Sequence, residues 1–178
     1  MNKKLTIIID MVNGFAKEGN LFSQNIKNII PTVVEVAKAS NNIILFQDAH
    51  DQNDIEFSIY PSHCIKGSKE SRIIDELLPF VTKNNLFAKN TTNAFWDIDS
   101  NLLLNYDSIE IVGCCTDICV LQFVLTLKTF LTKHKQLTKL IVYENAVATF
   151  DAENHNADQY HNNALNLMKN AGIEILKW

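Results

Sequence analysis

The sequence lacks a hydrophobic run that could cross a membrane, because none of its apolar segments approaches the roughly 20 residues that a bilayer requires. It also lacks a basic run and a cluster of aromatic residues suited to stacking on bases, and the net charge of its 178 residues is −4. We therefore expect neither a membrane nor a nucleic acid among its partners.

Cysteine is scarce, and three of the four cysteines lie close together, at Cys114, Cys115 and Cys119. Neighbouring cysteines make a poor disulfide framework, which favours a reducing compartment and leads us to expect a cytoplasmic protein. The opening MNKKLTIIID has a basic start and an apolar run, but Asp10 interrupts the run and no small-residue cleavage site follows. We therefore expect a first strand there and not a signal peptide.

Proline and glycine form no linker, and no repeat or low-complexity tract divides the chain, so residues 1–178 are predicted to be one domain. Short β-branched runs alternate with helical patterns, which predicts a three-layer α/β/α sandwich around a six-stranded, mostly parallel sheet. The predicted strands are Leu5–Ile9, Asn42–Phe46, Asn85–Ala88, Ile109–Val112, Lys139–Tyr143 and Ile173–Leu176. The predicted helices are Asn25–Ala39, Ser71–Leu78, Ile98–Leu104, Asp117–Lys133 and Asp158–Asn170.

The segment Ile109–Val120, IEIVGCCTDICV, combines a strand, a glycine and the start of a helix. Apolar residues recur at three- and four-residue intervals after it, which places Cys119 in the first helical turn at the carboxyl edge of the sheet. A helix N-terminus lowers the pKa of a thiol, and Thr116 or Asp117 is suited to cap this helix. Cys119 is therefore a candidate nucleophile, the alternative being a small buried apolar residue.

Other reactive groups follow the remaining predicted strands: Asp10 ends the first, Asp48 and His50 the second, and Lys89 the third. Because parallel strands end at the same edge of a sheet, these groups and Cys119 have the layout of an α/β active site. Asp10 is suited to accept the thiol proton, and Lys89 to stabilise the resulting charges. Taken alone, Asp10 is also typical of a turn or cap, and Lys89 of a solvated surface.

A second group of candidates lies in the irregular segment Asp48–Lys69, which is long for a loop in a compact domain. Asp48 and His50 project to the same side of an extended chain, and His63 can return from the loop as a third ligand. Two imidazoles and a carboxylate suit one divalent transition metal ion, zinc first, with iron or manganese as alternatives. Glu56 is a candidate fourth ligand or a partner bridged to the ion by water. Surface or structural positions are expected for His134, His155 and His161.

Several segments, in the right order, resemble the isochorismatase-like cysteine hydrolases and, among them, the nicotinamidase branch. These segments are DMVNGF (Asp10–Phe15), QDAH (Gln47–His50), YPSHCIKGS (Tyr60–Ser68), KNTTNAF (Lys89–Phe95), GCCTDICV (Gly113–Val120), ENAVATFDAENH (Glu144–His155) and NALNLM (Asn163–Met168). The resemblance covers nearly the whole chain. It implies Cys119 as nucleophile, Asp10 as general base and Lys89 as stabilising cation. The metal ligands that it implies are Asp48, His50 and His63, with Glu56 at the place of an acidic ligand found in some nicotinamidases.

The resemblance further implies a cis peptide bond at Cys114-Cys115, with the backbone N–H groups of Cys115 and Cys119 forming an oxyanion hole. The implied reaction is hydrolysis of nicotinamide to nicotinate and ammonia through a cysteine thioester, in NAD salvage. The expected partner is a small-molecule amide, and the expected assembly a homo-oligomer. The pyridine ring would lie among the aromatic residues Phe15, Tyr60 and Phe95, although Phe15 and Phe95 are equally typical of a core.

Three alternatives stay open. A related cysteine hydrolase would act on another small amide or ureido compound, but relatives with such substrates commonly lack the metal ligands. The intact Asp10, Lys89 and Cys119 argue against a binding protein without catalysis. Cys119 argues against an isochorismate-type vinyl ether hydrolase, since members of that branch commonly lack the nucleophilic cysteine. The chain departs from the commonest family pattern at Gly14, Ser62 and the Cys114-Cys115 pair, which bears on substrate fit more than on catalysis.

Overall fold

The computed structural model describes residues 3–178, and its centre is one sheet of six strands in the order β3-β2-β1-β4-β5-β6. All neighbouring strands in this sheet pair in parallel, so the sheet is wholly and not mostly parallel. The strands are β1 (Lys4–Ile9), β2 (Ile43–Asp48), β3 (Leu86–Lys89), β4 (Ser108–Cys114), β5 (Lys139–Ala148) and β6 (Glu174–Leu176). The predicted six-stranded α/β/α architecture is confirmed.

Helices and helical turns connect the strands. The α-helices are α1 (Asn13–Ala16), α2 (Gln24–Asn28), α3 (Ile30–Lys38), α4 (Leu121–Lys133) and α5 (Ala157–Asn170). Short 3-10 helices lie at Ile55–Ser58, Asp75–Phe80, Ala94–Asp97 and Ser100–Asn105, and a π-helical turn at Thr116–Val120 joins β4 to α4. No helix within residues 3–178 is long and apolar enough to cross a membrane.

Apolar side chains cover both faces of the sheet, as the β-branched runs predict for buried parallel strands. Along β1, Ile7 and Ile9 pack into a core with residues of α4 and α5, whereas Ile8 packs into a second core on the opposite face. That second core contains the buried residues Val33 and Val36 of α3. The alternation of strand side chains thus separates the two helical layers.

Three predicted helices differ from the observed ones. The helix Asn25–Ala39 is divided at Ile29, since Pro31 lacks the N–H that a continuous helix needs and lies instead in the first turn of α3. The prediction of a helix at Ser71–Leu78 is wrong in its first half, because Ile73 forms a β-bridge with Val12. Only Asp75–Phe80 is helical there. The helix Ile98–Leu104 is a 3-10 helix that starts later, after Asp99 accepts a bond from Asn101 N–H.

The parallel topology brings the carboxyl ends of the strands to one edge. Asp48 and Lys89 are register partners at the ends of β2 and β3, while Ile9 pairs with Gly113 at the ends of β1 and β4. Gly113 has a φ of +117°, and a Cβ there would lie 2.0 Å from the Ile9 carbonyl oxygen. Only glycine lets β4 approach β1 this closely just before the cysteine segment.

Candidate active site and metal centre

The structure brings together the three residues predicted to act on a substrate. Asp10 follows β1 in the left-handed region, at a φ of 53°, which Asp adopts more readily than most side chains. Lys89 Nζ lies 2.8 Å from Asp10 Oδ2 and 3.9 Å from Cys119 Sγ. All three side chains are buried, with relative exposures of 0% for Asp10, 2% for Lys89 and 8% for Cys119. The second oxygen of Asp10, Oδ1, accepts no hydrogen bond from the residues described.

Burial shifts the acid–base properties of this cluster. It raises the pKa of Asp10 to about 7, although the neighbouring Lys89 opposes that rise. Burial also raises the pKa of the Cys119 thiol well above its usual value, again opposed by Lys89. The predicted lowering of the thiol pKa is therefore wrong, because burial outweighs the helix-start position. The resting pair is a protonated thiol beside a carboxylate that titrates near neutrality, which suits proton transfer from Cys119 to Asp10.

Lys89 joins this cluster to a second one. Its Nζ lies 2.7 Å from Asp48 Oδ1 and 3.0 Å from the Thr91 carbonyl oxygen, in addition to its contact with Asp10. Burial alone would lower the pKa of Lys89, but the two carboxylates outweigh it and raise that pKa well above its usual value. Lys89 is thus a permanent cation between the nucleophile and Asp48.

The second cluster consists of Asp48, His50 and His63, which are all buried. One potential ligand atom of each lies within 4.8 Å of the others. The Nε2 atoms of His50 and His63 are 3.1 Å and 3.2 Å from Asp48 Oδ2. Burial would raise the pKa of Asp48, but Lys89 and the two imidazoles hold it well below its usual range. The three predicted ligands therefore converge on one point.

The outer nitrogens of the two imidazoles already have partners. His50 Nδ1 lies 3.1 Å from Asp54 Oδ2, and His63 Nδ1 donates to the Pro61 carbonyl oxygen at 2.8 Å. In a neutral imidazole this leaves a lone pair on Nε2, directed at the Asp48 carboxylate. Two facing acceptors repel each other unless a proton or a metal cation lies between them. The donor set and its outer partners therefore fit a transition-metal ion.

Glu56 lies farther out than the other three candidates. Its Oε1 is 3.8 Å from His50 Nε2 and 3.9 Å from His63 Nε2, and burial raises its pKa. Glu56 belongs to the 3-10 helix Ile55–Ser58, which Asp54 caps by accepting from the Glu56 N–H. The helix therefore holds Glu56 beside the cluster, and its ligation stays a prediction.

The predicted aromatic residues occupy two different environments. The ring centroids of Phe15 and Tyr60 are 5.7 Å and 6.4 Å from that of His63. Burial raises the pKa of the Tyr60 hydroxyl, and the charge of a Cys119 thiolate raises it further. Phe95, in contrast, packs at 5.3 Å from Phe130 in the core beneath α4.

Sequence reasoning missed two residues of the site. Phe57 lies 5.2 Å from the ring of His50 and 5.5 Å from that of His63, and thus packs against both imidazoles. Asp54 supplies the carboxylate that orients His50. A signal existed only for Asp54, an acidic residue four positions after a candidate ligand and able to cap a short helix. A lone phenylalanine in an irregular loop carries no such signal.

The cysteine segment differs in detail from its prediction. The Cys114-Cys115 bond is cis, as the family resemblance implied, and Cys115 precedes the π-helical turn that contains Cys119. Neither Thr116 nor Asp117 caps a helix: both lie inside the turn, whose flanking residue Cys115 makes no side-chain capping bond. Their side chains instead contact His161 and His155. The oxyanion hole stays a prediction.

Comparison with known proteins finds similar sequences and structures over nearly the whole chain. Residues 4–178 match the isochorismatase domain. Nicotinamidase 1 of Arabidopsis thaliana is 29% identical over 206 aligned positions, which cover 96% of this chain and 84% of the plant protein. The crystal structure of nicotinamidase/pyrazinamidase PncA from Bacillus subtilis is 28% identical, with a TM-score of 0.83 over 98% of this chain and 100% of that one.

A third similar structure is N-carbamoylsarcosine amidase from Thermoplasma acidophilum, which is 22% identical, with a TM-score of 0.73. The match covers 98% of this chain and 96% of that one. At this identity the likeness concerns the fold alone. Proteins named for different amide substrates therefore share this architecture.

Proposed function

Because the chain belongs to the isochorismatase family, we propose that it is a nicotinamidase, which hydrolyses nicotinamide to nicotinate and ammonia in NAD salvage. The observation that carries this proposal is the position of Lys89, which contacts Asp10 at 2.8 Å and Asp48 at 2.7 Å. One buried side chain thus joins a nucleophile cluster to a potential metal centre. Nicotinamide has a carboxamide for the first and a ring nitrogen for the second.

The first half of the reaction uses the cluster around Cys119. Asp10 accepts the Cys119 proton, and the thiolate attacks the carbon of the carboxamide. Lys89 stabilises the negative charge of the thiolate from 3.9 Å away. The backbone N–H groups of Cys115 and Cys119 bind the oxygen of the tetrahedral intermediate.

The second half returns the enzyme to its starting state. Asp10 gives its proton to the amide nitrogen, and ammonia leaves as the C–N bond breaks, which produces a thioester on Cys119. Asp10 then takes a proton from water, whose oxygen attacks the thioester carbon. The C–S bond then breaks, and Asp10 returns its proton to the Cys119 sulfur. The acid product gives its proton to solvent and leaves as nicotinate, so one water is consumed for each ammonia released.

Asp48, His50 and His63 would hold one divalent transition metal ion, with Glu56 as a further ligand and zinc as the first expectation. Such an ion, when bound, supplies a Lewis-acidic position for the pyridine nitrogen. Asp54 and the Pro61 carbonyl fix the two imidazoles from outside. Phe15 and Tyr60 flank the cluster and would pack against the ring. A contact between Phe95 and the ring stays a prediction, since Phe95 packs in the core.

The second candidate is a related cysteine hydrolase acting on another small amide or ureido compound. The fold alone permits it, since N-carbamoylsarcosine amidase shares this architecture. The buried Asp48 cluster favours nicotinamide, because a substrate without a ring nitrogen makes no use of an ion there. Cytoplasmic location, a homo-oligomeric state and a one-domain organisation accompany the proposal as untested predictions.

An ammonia-release assay on a panel of amides separates the candidates. Nicotinamide and pyrazinamide are expected to be good substrates, while benzamide, which replaces the ring nitrogen by CH, should fall about a hundredfold or more in kcat/KM. N-carbamoylsarcosine represents the second candidate. Comparable turnover of benzamide and nicotinamide would contradict the proposal. Rapid cleavage of an aliphatic amide without cleavage of nicotinamide would do so as well, leaving the cysteine chemistry standing.

A further inference from the structure

Two histidines from the C-terminal part of the chain contact the segment that carries Cys119. We call that segment, Thr116–Val120, the nucleophile turn. His155 precedes α5 and bonds to Asp117, while His161 lies on α5 and bonds to Thr116. Both contacts fall on the first two residues of the turn. Neither histidine has a part in the proposed reaction, and their placement calls for another explanation.

His155 is held on all sides. Its Nε2 lies 2.7 Å from Asp117 Oδ2, and its Nδ1 lies 2.9 Å from the Phe150 carbonyl oxygen. Both partners are acceptors, so each nitrogen of the ring faces a group to which it can donate. The rings of Phe150 and Tyr160 stack on its two faces at 4.0 Å and 3.9 Å. The two stacked rings prevent the imidazole from turning.

His161 provides the second attachment. Its Nδ1 lies 3.0 Å from the hydroxyl oxygen of Thr116, a side chain with no solvent exposure. Because His161 is part of α5, this bond connects the turn to a 14-residue helix. Thr116 and Asp117 are therefore tied to two adjacent points of the same C-terminal segment.

The turn depends on such outside contacts because it begins without a cap of its own. Cys115, which flanks it, makes no side-chain capping bond. Cys119 is only two residues beyond Asp117, and its thiol must stay near Lys89 Nζ, 3.9 Å away. A small rotation of the turn would move the thiol away from both Asp10 and Lys89.

We propose that His155 and His161 are positioning residues that fix the nucleophile turn, so that the Cys119 thiol is held against Asp10 and Lys89. The inference rests on the proposed function in taking Cys119 as the nucleophile, but it does not depend on which amide is cleaved. Neither histidine contacts Cys119 directly. Their effect passes through Asp117 and Thr116.

The test uses conservative variants that keep the shape of the contacts. His155→Gln retains one donor, Asp117→Asn removes the charge of its partner, and the double variant measures their coupling. His161→Asn probes the second attachment. The matched control is His134→Gln, since His134 also packs on an aromatic ring, Phe130, but makes no side-chain bond among residues 3–178. Melting temperatures verify that every variant is folded.

A positioning role predicts that kcat falls about tenfold to a hundredfold in His155→Gln, with KM changed less than threefold, because displacements near 1 Å have effects of this size. His161→Asn should fall in the same direction. The double variant should be no slower than the slower single variant, because both changes break one contact. The control should keep its kcat. Amide hydrogen exchange at residues 116–120 should be faster in both histidine variants and unchanged in the control.

The outcomes separate the two proposals. If nicotinamide is not cleaved, the kinetic test uses the best amide of the panel, and only the nicotinamidase proposal fails. A kcat reduced less than fivefold in His155→Gln would overturn the positioning role. If no amide is cleaved, exchange at residues 116–120 decides: faster exchange in the variants supports the role, and equal exchange overturns it.

Discussion

The central sheet buries charged side chains toward both ends of its strands, and the two sets of contacts differ. Toward the amino end, the buried carboxylate of Glu110 has a donor for each oxygen. The Tyr143 hydroxyl donates to Oε1 at 2.8 Å, while Lys4 lies 3.2 Å from Oε2. The Thr6 hydroxyl donates to Oε2 as well, at 3.4 Å. Every charge in this group is balanced within the chain.

At the carboxyl ends of the strands, the buried polar groups are not all paired within the residues described. Asp10 Oδ1 accepts no hydrogen bond from the residues described, and two imidazole nitrogens converge on the same oxygen of Asp48. Native proteins satisfy nearly all their buried polar groups, so the exceptions identify places where a proton, an ion or a substrate completes the arrangement. The amino-end group is satisfied within the chain, whereas the carboxyl-end group is the site proposed for the reaction.

The largest expected effect comes from removing the reacting atom at the carboxyl end. Cys119→Ala should lower kcat by about a thousandfold or more, because no thiol remains to attack the amide or to protonate Asp10. Cys64→Ala, at another buried cysteine, should keep most of the activity. Ammonia release and circular dichroism of both proteins check this. Appreciable turnover by folded Cys119→Ala protein would contradict the mechanism.

The next largest effect is expected from removing one of the two imidazoles that face Asp48. His50→Ala should reduce the bound metal and raise KM for nicotinamide, lowering kcat/KM about a hundredfold, since the ion is expected to hold the substrate and not to attack it. Metal analysis and steady-state kinetics measure the two effects separately. His134→Ala, outside the cluster, should change neither. Stoichiometric metal in a His50→Ala, His63→Ala double variant would locate the metal elsewhere.

The incomplete balance at Asp10 also predicts a pH dependence. Burial raises the pKa of Asp10 to about 7. Asp10 must be ionised to accept the thiol proton, so kcat/KM should be constant above that pH and fall about tenfold per pH unit below it. Metal content measured at each pH separates this effect from loss of the ion. A profile that is flat from pH 5 to pH 8 would exclude Asp10 as the base.

Much of the fold could be predicted because buried parallel strands are continuous apolar runs. The runs at Leu5–Ile9 and Asn85–Ala88 locate β1 and β3 to within about a residue. The pattern failed where tertiary contacts override local preference. β5 continues past the predicted end at Tyr143, through the polar pair Glu144-Asn145, to Ala148, and its register with β4 is irregular there. Ile73 was predicted to be helical, yet it pairs with Val12.

The reacting groups of the candidate site could be predicted for a related reason. A parallel sheet collects the ends of its strands at one edge, so Asp10, Asp48 and Lys89 meet whatever the loops do. No comparable topological rule predicts which loop residues will contact each other. The tilted and edge-on packing of Phe57 against two imidazoles and the bond from His155 to Asp117 depend on how distant segments return to this edge. Local sequence patterns do not encode those returns.

The smallest expected effect tests the balanced end of the comparison. Tyr143→Phe removes the donor to Glu110 Oε1 and leaves a buried carboxylate oxygen without it, which should lower the free energy of unfolding by about 1–2 kcal/mol. Because this group lies away from the reacting atoms, kcat and KM should change less than twofold. Tyr106→Phe is the matched control, since no hydrogen bond from that hydroxyl occurs among residues 3–178. Urea unfolding and ammonia release measure both properties. If Tyr143→Phe lowered kcat strongly while stability stayed unchanged, the amino-end group would have to be counted with the site and not with the scaffold.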